Sequence, residues 1–264
     1  MRVMRKIMKA AHLLLICLCF LIIGAAVSLI CFAVPSRRSL LRARCQRLWA
    51  LLVSATLGIR TERAGGGWHG SGQGGRFIVA NHISYLDIVV LAGALPIAFL
   101  SKHDVRSWPV LGWLATMAGT IYVDRSSPRD AVSAMGEIRE RLGHGVSVVV
   151  FPEGTTSDGM QVMEFKSAFF DLPLRACVPV VPIAVQYLAA DGKEDPAEAT
   201  AAIAWFGDAP LLPNVWRVLG MRAIRVRLVS GAVLVPGSSE ITDRKALARA
   251  ARDSVARSYC NPRE

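Results

Sequence analysis

The sequence predicts an α/β fold: a largely parallel central sheet flanked by helices, with an N-terminal membrane-anchoring helical segment. Three observations predict it. From residue 77 onward, short β-prone apolar runs alternate with stretches of helical periodicity, the pattern of strands joined by helical crossovers. From Leu13 to Val34 there is no charged residue, about 22 positions, enough to cross a hydrocarbon core of roughly 30 Å at helical rise. Before the alternating part, residues 65–76 hold seven glycines, a flexible loop or open hairpin and not an element of the fold.

The elements follow in order. Ser39 to Leu57 mixes Leu40, Leu41, Trp49, Leu51, Leu52 and Val53 with arginines in a roughly helical pattern. Such a helix either lies on an anionic membrane surface or packs on the domain with its arginines solvated. Phe77–Ala80 is predicted as a buried strand, and a short helix follows from Asp87 to Gly93. Ile97–Ser101 is a strand, Trp108–Met117 a helix and Thr120–Val123 a strand. Arg129–Leu142 is a helix with Ala131, Met135, Ile138 and Leu142 on one face. Val146–Phe151, Val178–Tyr187 and Ile224–Val229 are strands. Thr242 or Asp243 caps a last helix to about Ser258. Residues 190–222 are the hardest to read. Ala197–Ala204 is helix-prone, Pro210 and Pro213 break the chain, and Trp205, Phe206, Leu211, Leu212, Trp216 and Leu219 suggest a second membrane-facing excursion. The domains are thus 1–60, anchor and basic amphipathic helix, and 61–264, the globular part.

Charge narrows the function. The formal net charge is +11, but residues 1–60 carry ten Lys/Arg and no acid, so the remainder is nearly neutral at +1. A globular part without a basic face or basic–aromatic interleaving argues against nucleic acid. A cleaved signal peptide is the rival to an anchor, yet the apolar run exceeds a usual signal core, and Pro35-Ser36-Arg37-Arg38 offers no small-x-small cleavage site. Five arginines between Arg37 and Arg47 favour a domain facing the cytoplasm at the cytoplasmic (inner) membrane, the chain spanning once or inserting monotopically. Six cysteines without a CxxC argue against a zinc site or a disulfide framework, and no cofactor or metal is expected.

The chemistry concentrates in Asn81-His82-Ile83-Ser84-Tyr85-Leu86-Asp87. A histidine at a strand end with a carboxylate five residues on is a candidate general base with its orienting partner; the same spacing also fits two loop caps. Three later segments join it: Gly119-Thr120-Ile121-Tyr122-Val123-Asp124-Arg125, Phe151-Pro152-Glu153-Gly154-Thr155-Thr156-Ser157 and Val178-Pro179-Val180-Val181-Pro182-Ile183. Together and in this order the four resemble the sequence blocks of the glycerolipid acyltransferase family, the bacterial 1-acylglycerol-3-phosphate acyltransferases. The first block, NHxxxxD, is complete. The resemblance runs from about Phe77 to Val185.

That resemblance implies transfer of a fatty acyl group from a thioester, acyl-CoA or acyl carrier protein, to the free hydroxyl of a lysophospholipid at a membrane. Its first expectation is lysophosphatidate as acceptor and phosphatidate as product; a lyso-ornithine lipid is the close second. A non-catalytic membrane-surface protein is the alternative from another class. His82 is the expected base and Asp87 its orienting partner, with transfer direct because the acceptor hydroxyl itself attacks. Arg125 matches the family's phosphate-clamping arginine; a structural ion pair with Asp124 or Asp130 is its other reading. Glu153, Gly154 and Thr155 match the acceptor-binding block. A carboxylate beside a phosphate would repel it, so Glu153 is expected to order Arg125 or its own loop. Lys102 and Lys166 resemble family lysines, or are solvated surface residues; Ala168 stands where the family usually has glycine. Ser84 is expected to be a local cap, and His69, His103 and His144 surface residues.

Overall fold

The computed structural model describes residues 2–30, 34–69, 74–124, 128–238 and 241–260. Its strands are β1 (Ile59–Ala64), β2 (Phe77–Ala80), β3 (Ile97–Lys102), β4 (Ile121–Val123), β5 (Ser147–Val150), β6 (Val180–Ala190) and β7 (Ile224–Ser230). Its helices are α1 (Arg2–Ile30), α2 (Pro35–Leu57), α3 (Leu86–Ala94), α4 (Leu111–Met117), α5 (Pro128–Gly143), α6 (Asp171–Arg175), α7 (Pro196–Ile203), α8 (Leu211–Leu219) and α9 (Arg244–Cys260).

The strands form one seven-stranded sheet in the order β1-β7-β6-β2-β5-β3-β4, parallel throughout except between β6 and β7. The predicted α/β fold with a largely parallel, helix-flanked sheet is the observed one. Alternation along the strands explains the two layers around it. Phe77 and Val79 point into the core shared with α5 and α9, while Ile78 and Ala80 point into the core shared with α2, α3, α7 and α8. On α5, Ala134, Ile138 and Leu142 recur at helical spacing and are buried.

Several expectations are corrected. β1 was not foreseen as a strand, because Ile-Arg-Thr-Glu-Arg-Ala is an edge strand with only Ile59 buried. The predicted helix Trp108–Met117 starts at Leu111 instead, since Val110 sits at φ +63°. Pro213 does not break the chain; it occupies the first turn of α8, where the helix needs no donor from it. In the expected excursion over residues 205–219, Leu219 is buried, while Phe206, Leu212 and Trp216 are exposed.

The N-terminal helices lie along the domain. Ala50, Val53 and Leu57 of α2 belong to the same core as the sheet, whereas Leu41, Leu48, Leu51 and Leu52 stay exposed. Helix α1 packs on α2, α4 and α8. Its inward stripe includes Lys9, Ile16, Phe20 and Gly24; its outward face carries Met4, Ile7, Met8, Leu14, Leu15, Leu18, Ile22, Ile23, Leu29 and Ile30. The polarity is inverted relative to a soluble helix. Lys9 Nζ donates to the carbonyls of Leu57 (3.1 Å) and Met221 (2.9 Å), Arg5 donates to the Gly220 carbonyl, and Lys6 lies over the Trp216 ring. At the far end Arg42 donates to Ser28 Oγ at 2.5 Å. Between residues 5 and 28 the helix covers about 35 Å at 1.5 Å per residue, tied to the end of α8 at one end and to α2 at the other.

Candidate active site

The site lies at the carboxyl edge of the parallel strands, where ligands of open α/β sheets bind. β2 is central, and the first block follows it directly. As β2 ends, Asn81 continues its ladder with a side chain: Nδ2 donates to the Val185 carbonyl (3.1 Å) and Oδ1 accepts from the Val185 N–H (2.8 Å). His82 is thereby set at a fixed height above the sheet.

His82 Nδ1 and Asp87 Oδ2 are 2.8 Å apart. Oδ2 also accepts from the N–H groups of Ile83 (2.7 Å) and Ser84 (2.9 Å), and Oδ1 accepts from the Tyr187 hydroxyl (2.6 Å). Asp87 is fully buried in the first turn of α3, where the helix dipole favours a carboxylate. So many donors suit a carboxylate acceptor, which makes Nδ1 the ring nitrogen that donates to it; in a neutral ring the lone pair is left on the other nitrogen. Nε2 is then the acceptor, and it has no hydrogen-bond partner among the described residues. The ring stacks on Phe151, centroids 3.9 Å apart and planes 9° from parallel. Burial, then the charge of Asp87, pushes the Tyr187 phenol well above its ordinary pKa and keeps it a donor.

The third block wraps the same histidine. Ser157 N–H donates to the His82 carbonyl at 2.8 Å. Glu153 is 1% exposed, and neither carboxylate oxygen has a hydrogen bond of regular geometry among the described residues. Burial pushes its carboxyl up to about 8, and the charge of Asp87 adds to the rise, against the pull of the His82 and Met163 main-chain N–H groups. Gly154 sits at φ +76°, and a Cβ there would lie 2.8 Å from Lys166 Nζ. Lys166 N–H donates to the Pro152 carbonyl (2.9 Å), so this exposed lysine is fastened across the block. Thr155 is exposed beside it.

Lys102 ends β3 on the same edge, exposed. Arg125 lies outside the described residues. Ser84 is fully buried, with its Oγ 3.4 Å from the Leu86 N–H as a local cap. His144 lies near Glu140 on α5, away from the site. Phe151, Tyr187 and Asn81 were not singled out in the sequence as site residues. Tyr187 had a signal: it continues the Val181, Ile183, Val185 alternation on β6, whose last pairing with β2 is Ile183 to Ala80. It therefore stands just beyond the end of β2, beside Asp87.

Known proteins carry the same plan. A family model described as Acyltransferase matches residues 63–186. The chain is 32% identical over 249 residues to a lyso-ornithine lipid O-acyltransferase of Brucella abortus, covering 89% of this chain and 91% of that protein. A lyso-ornithine lipid O-acyltransferase of Pseudomonas aeruginosa is 36% identical, covering 81% of this chain and 78% of its own length. A 1-acyl-sn-glycerol-3-phosphate acyltransferase of Neisseria meningitidis is 32% identical, covering 69% and 68%. The crystal structure of PlsC, a 1-acyl-sn-glycerophosphate acyltransferase from Thermotoga maritima, superimposes with a TM-score of 0.68 over 98% of this chain and 96% of that one, at 19% identity, and so shares its fold. A histidine and a buried aspartate joined at the end of the central strand, followed by the blocks in their expected order, belong with this likeness along most of the chain: the protein is a member of the glycerolipid acyltransferase family.

Proposed function

We propose that this protein is a membrane-associated lysolipid O-acyltransferase that moves a fatty acyl group from a thioester, acyl-CoA or acyl carrier protein, to a free hydroxyl of the acceptor. The observation that carries this reading is the 2.8 Å contact between His82 Nδ1 and a fully satisfied Asp87, which leaves Nε2 as the proton acceptor. In the proposed reaction Nε2 takes the acceptor hydroxyl proton as its oxygen attacks the thioester carbonyl. Asp87 stabilises the imidazolium, and the proton passes to the departing thiolate. Lys166, Lys102, Thr155 and Arg125 are the proposed acceptor contacts, with Gly154 giving Lys166 close approach to the backbone. Glu153, buried in the same block as Gly154 and Thr155, is assigned to holding the loop.

Two acceptors are to be tested side by side. The sequence blocks suggest lysophosphatidate. The lyso-ornithine lipid reading is favoured by the extent of likeness, 89% of the chain against 69%. Purified enzyme given each acceptor with each donor type should release thiol only when a lysolipid is present. The acceptor with the higher kcat/KM decides between them, and no acceptor-dependent release would leave a surface-binding protein.

Residues 1–60 are proposed as the membrane-associating part and 61–264 as the catalytic part, on the cytoplasmic face of the inner membrane. The outward apolar face of α1, together with its attachment to the Met221 carbonyl near one end and to α2 near the other, supports monotopic seating in one leaflet over a crossing helix.

A further inference from the structure

The turn between β3 and α4 carries a second apolar surface. Trp108, Val110, Leu111 and Trp113 are all exposed, Trp113 by 65%. Clustered exposed indoles and aliphatics mark a contact surface. The turn is built, not loose: Leu111 N–H donates to the Pro109 carbonyl (2.6 Å), Gly112 N–H to the Trp108 carbonyl (2.9 Å) and Leu114 N–H to the Val110 carbonyl (3.0 Å). Val110 is held at φ +63°, a conformation strained for a β-branched residue and retained where the surroundings impose it.

Its position is specific. The preceding strand ends at Lys102, on the carboxyl edge that bears His82. Helix α4 packs on α1 where Gly24 leaves room; a Cβ there would stand 2.9 Å from Met117 Cβ. Trp113 is one helical turn before Met117 and so shares its face. Helices α1 and α4 are thus neighbours, and each carries exposed apolar side chains. Lys102, His103 and Arg106 stand at the base of the turn, and Asp104 is the lone carboxylate between residues 102 and 117. Indoles at the depth of the interface with cations at headgroup level are the arrangement a bilayer surface selects.

We propose that Trp108–Trp113 is a second bilayer-inserting element, seated in the interfacial zone of an anionic leaflet on the rim of the catalytic edge. It rests on the reading that α1 lies in the membrane. Its role is to hold that edge against the surface from which the lysolipid acceptor is drawn.

The test uses the full-length enzyme with phosphatidylcholine–phosphatidylglycerol vesicles. Brominated phosphatidylcholine should quench tryptophan fluorescence in the parent, and Trp108→Phe/Trp113→Phe should remove part of that quenching. Leu111→Asp/Trp113→Asp should still float with vesicles through α1. Its rate on acceptor embedded in vesicles should fall at least about tenfold, as expected for withdrawing two interfacial side chains. Its rate on a short-chain acceptor kept below the critical micelle concentration should hold. Unchanged quenching, an unchanged vesicle rate, or equal loss on both forms of acceptor would overturn the proposal. So would sedimentation showing that the Asp variant dissociates a dimer that the parent forms through this patch. A parent enzyme that fails to float at all would instead sink the underlying membrane reading.

Discussion

The hydroxyl of Tyr187 donates to Asp87 Oδ1 at 2.6 Å, across 100 residues of sequence and with both groups fully buried. Tyr187→Phe leaves one lobe of a buried carboxylate without its donor. An unsatisfied buried acceptor costs about 1–3 kcal/mol, more when charged. The variant should melt earlier and lose kcat by about tenfold with little change in acceptor KM, since 1.4 kcal/mol of misplacement at His82 is a factor of ten. Steady-state kinetics with a thermal melt check it; normal kcat would leave Tyr187 a purely structural residue.

His82→Ala should lower kcat by about 10²–10⁴-fold, the usual worth of a general base. The histidine side chain is partly exposed and held by one hydrogen bond and its stacking on Phe151, so the fold should persist, as circular dichroism would report. Asp87→Asn should also be severe. It removes the charge that stabilises the imidazolium and no longer dictates which ring nitrogen holds the proton. Activity within a few-fold of the parent would end the base assignment.

Glu153 gives the protein a pH-dependent stability. Its carboxyl is raised from an ordinary 4.5 to about 8, chiefly by burial. Between these values the folded chain keeps a proton that the unfolded chain releases. The stabilising contribution is whole below pH 4.5, drains as pH rises, and is gone above about 8. Glu153→Gln mimics the neutral acid. Its melting temperature should match the parent near pH 5 and exceed it increasingly toward pH 8, by no more than about 1.4 kcal/mol per pH unit. Parallel melting curves across that range would rule out a protonated Glu153.

Lys166 and Arg125 should act on acceptor binding. Arg125→Ala should raise acceptor KM far more than donor KM, with Arg125→Lys rescuing in part because an ammonium lacks the planar fork. Gly154→Ala tests the geometry directly. The new methyl meets Lys166 Nζ and forces a left-handed backbone on alanine, so acceptor KM should rise even though both cations remain. Comparing KM for acceptor and donor in the three variants separates these outcomes.

Much of this architecture was legible in advance. The parallel strands announced themselves through runs such as Val148-Val149-Val150 that are apolar on both faces, because both faces are buried. The His82–Asp87 pair was legible because motif and contact are both local. Tyr187 was harder, since its partner is distant in sequence and its hydroxyl falls within an otherwise apolar run. β1 was hidden because an edge strand next to solvent needs no apolar alternation, and its pairing with β7 spans Glu62 and Arg227, which form an ion pair. Pro213 misled because a proline is punctuation or a good first-turn residue depending on where the helix starts. The inward turn of Arg5, Lys6 and Lys9 had no sequence signature, as their acceptors are main-chain carbonyls or a tryptophan ring far along the chain.

That last feature bears on how the molecule is made. The carbonyls that receive Arg5 and Lys9 at Gly220 and Met221 lie 215 and 212 residues downstream. During synthesis α1 is complete long before its dock exists, and domains form as their later segments emerge. With α1 seated in one leaflet as proposed, its outward face has the lipid surface as apolar partner over that interval. The order of events is then insertion first and docking last: the rest of the domain assembles against a helix already held in place, and closing these long loops becomes a search across a surface instead of through bulk water.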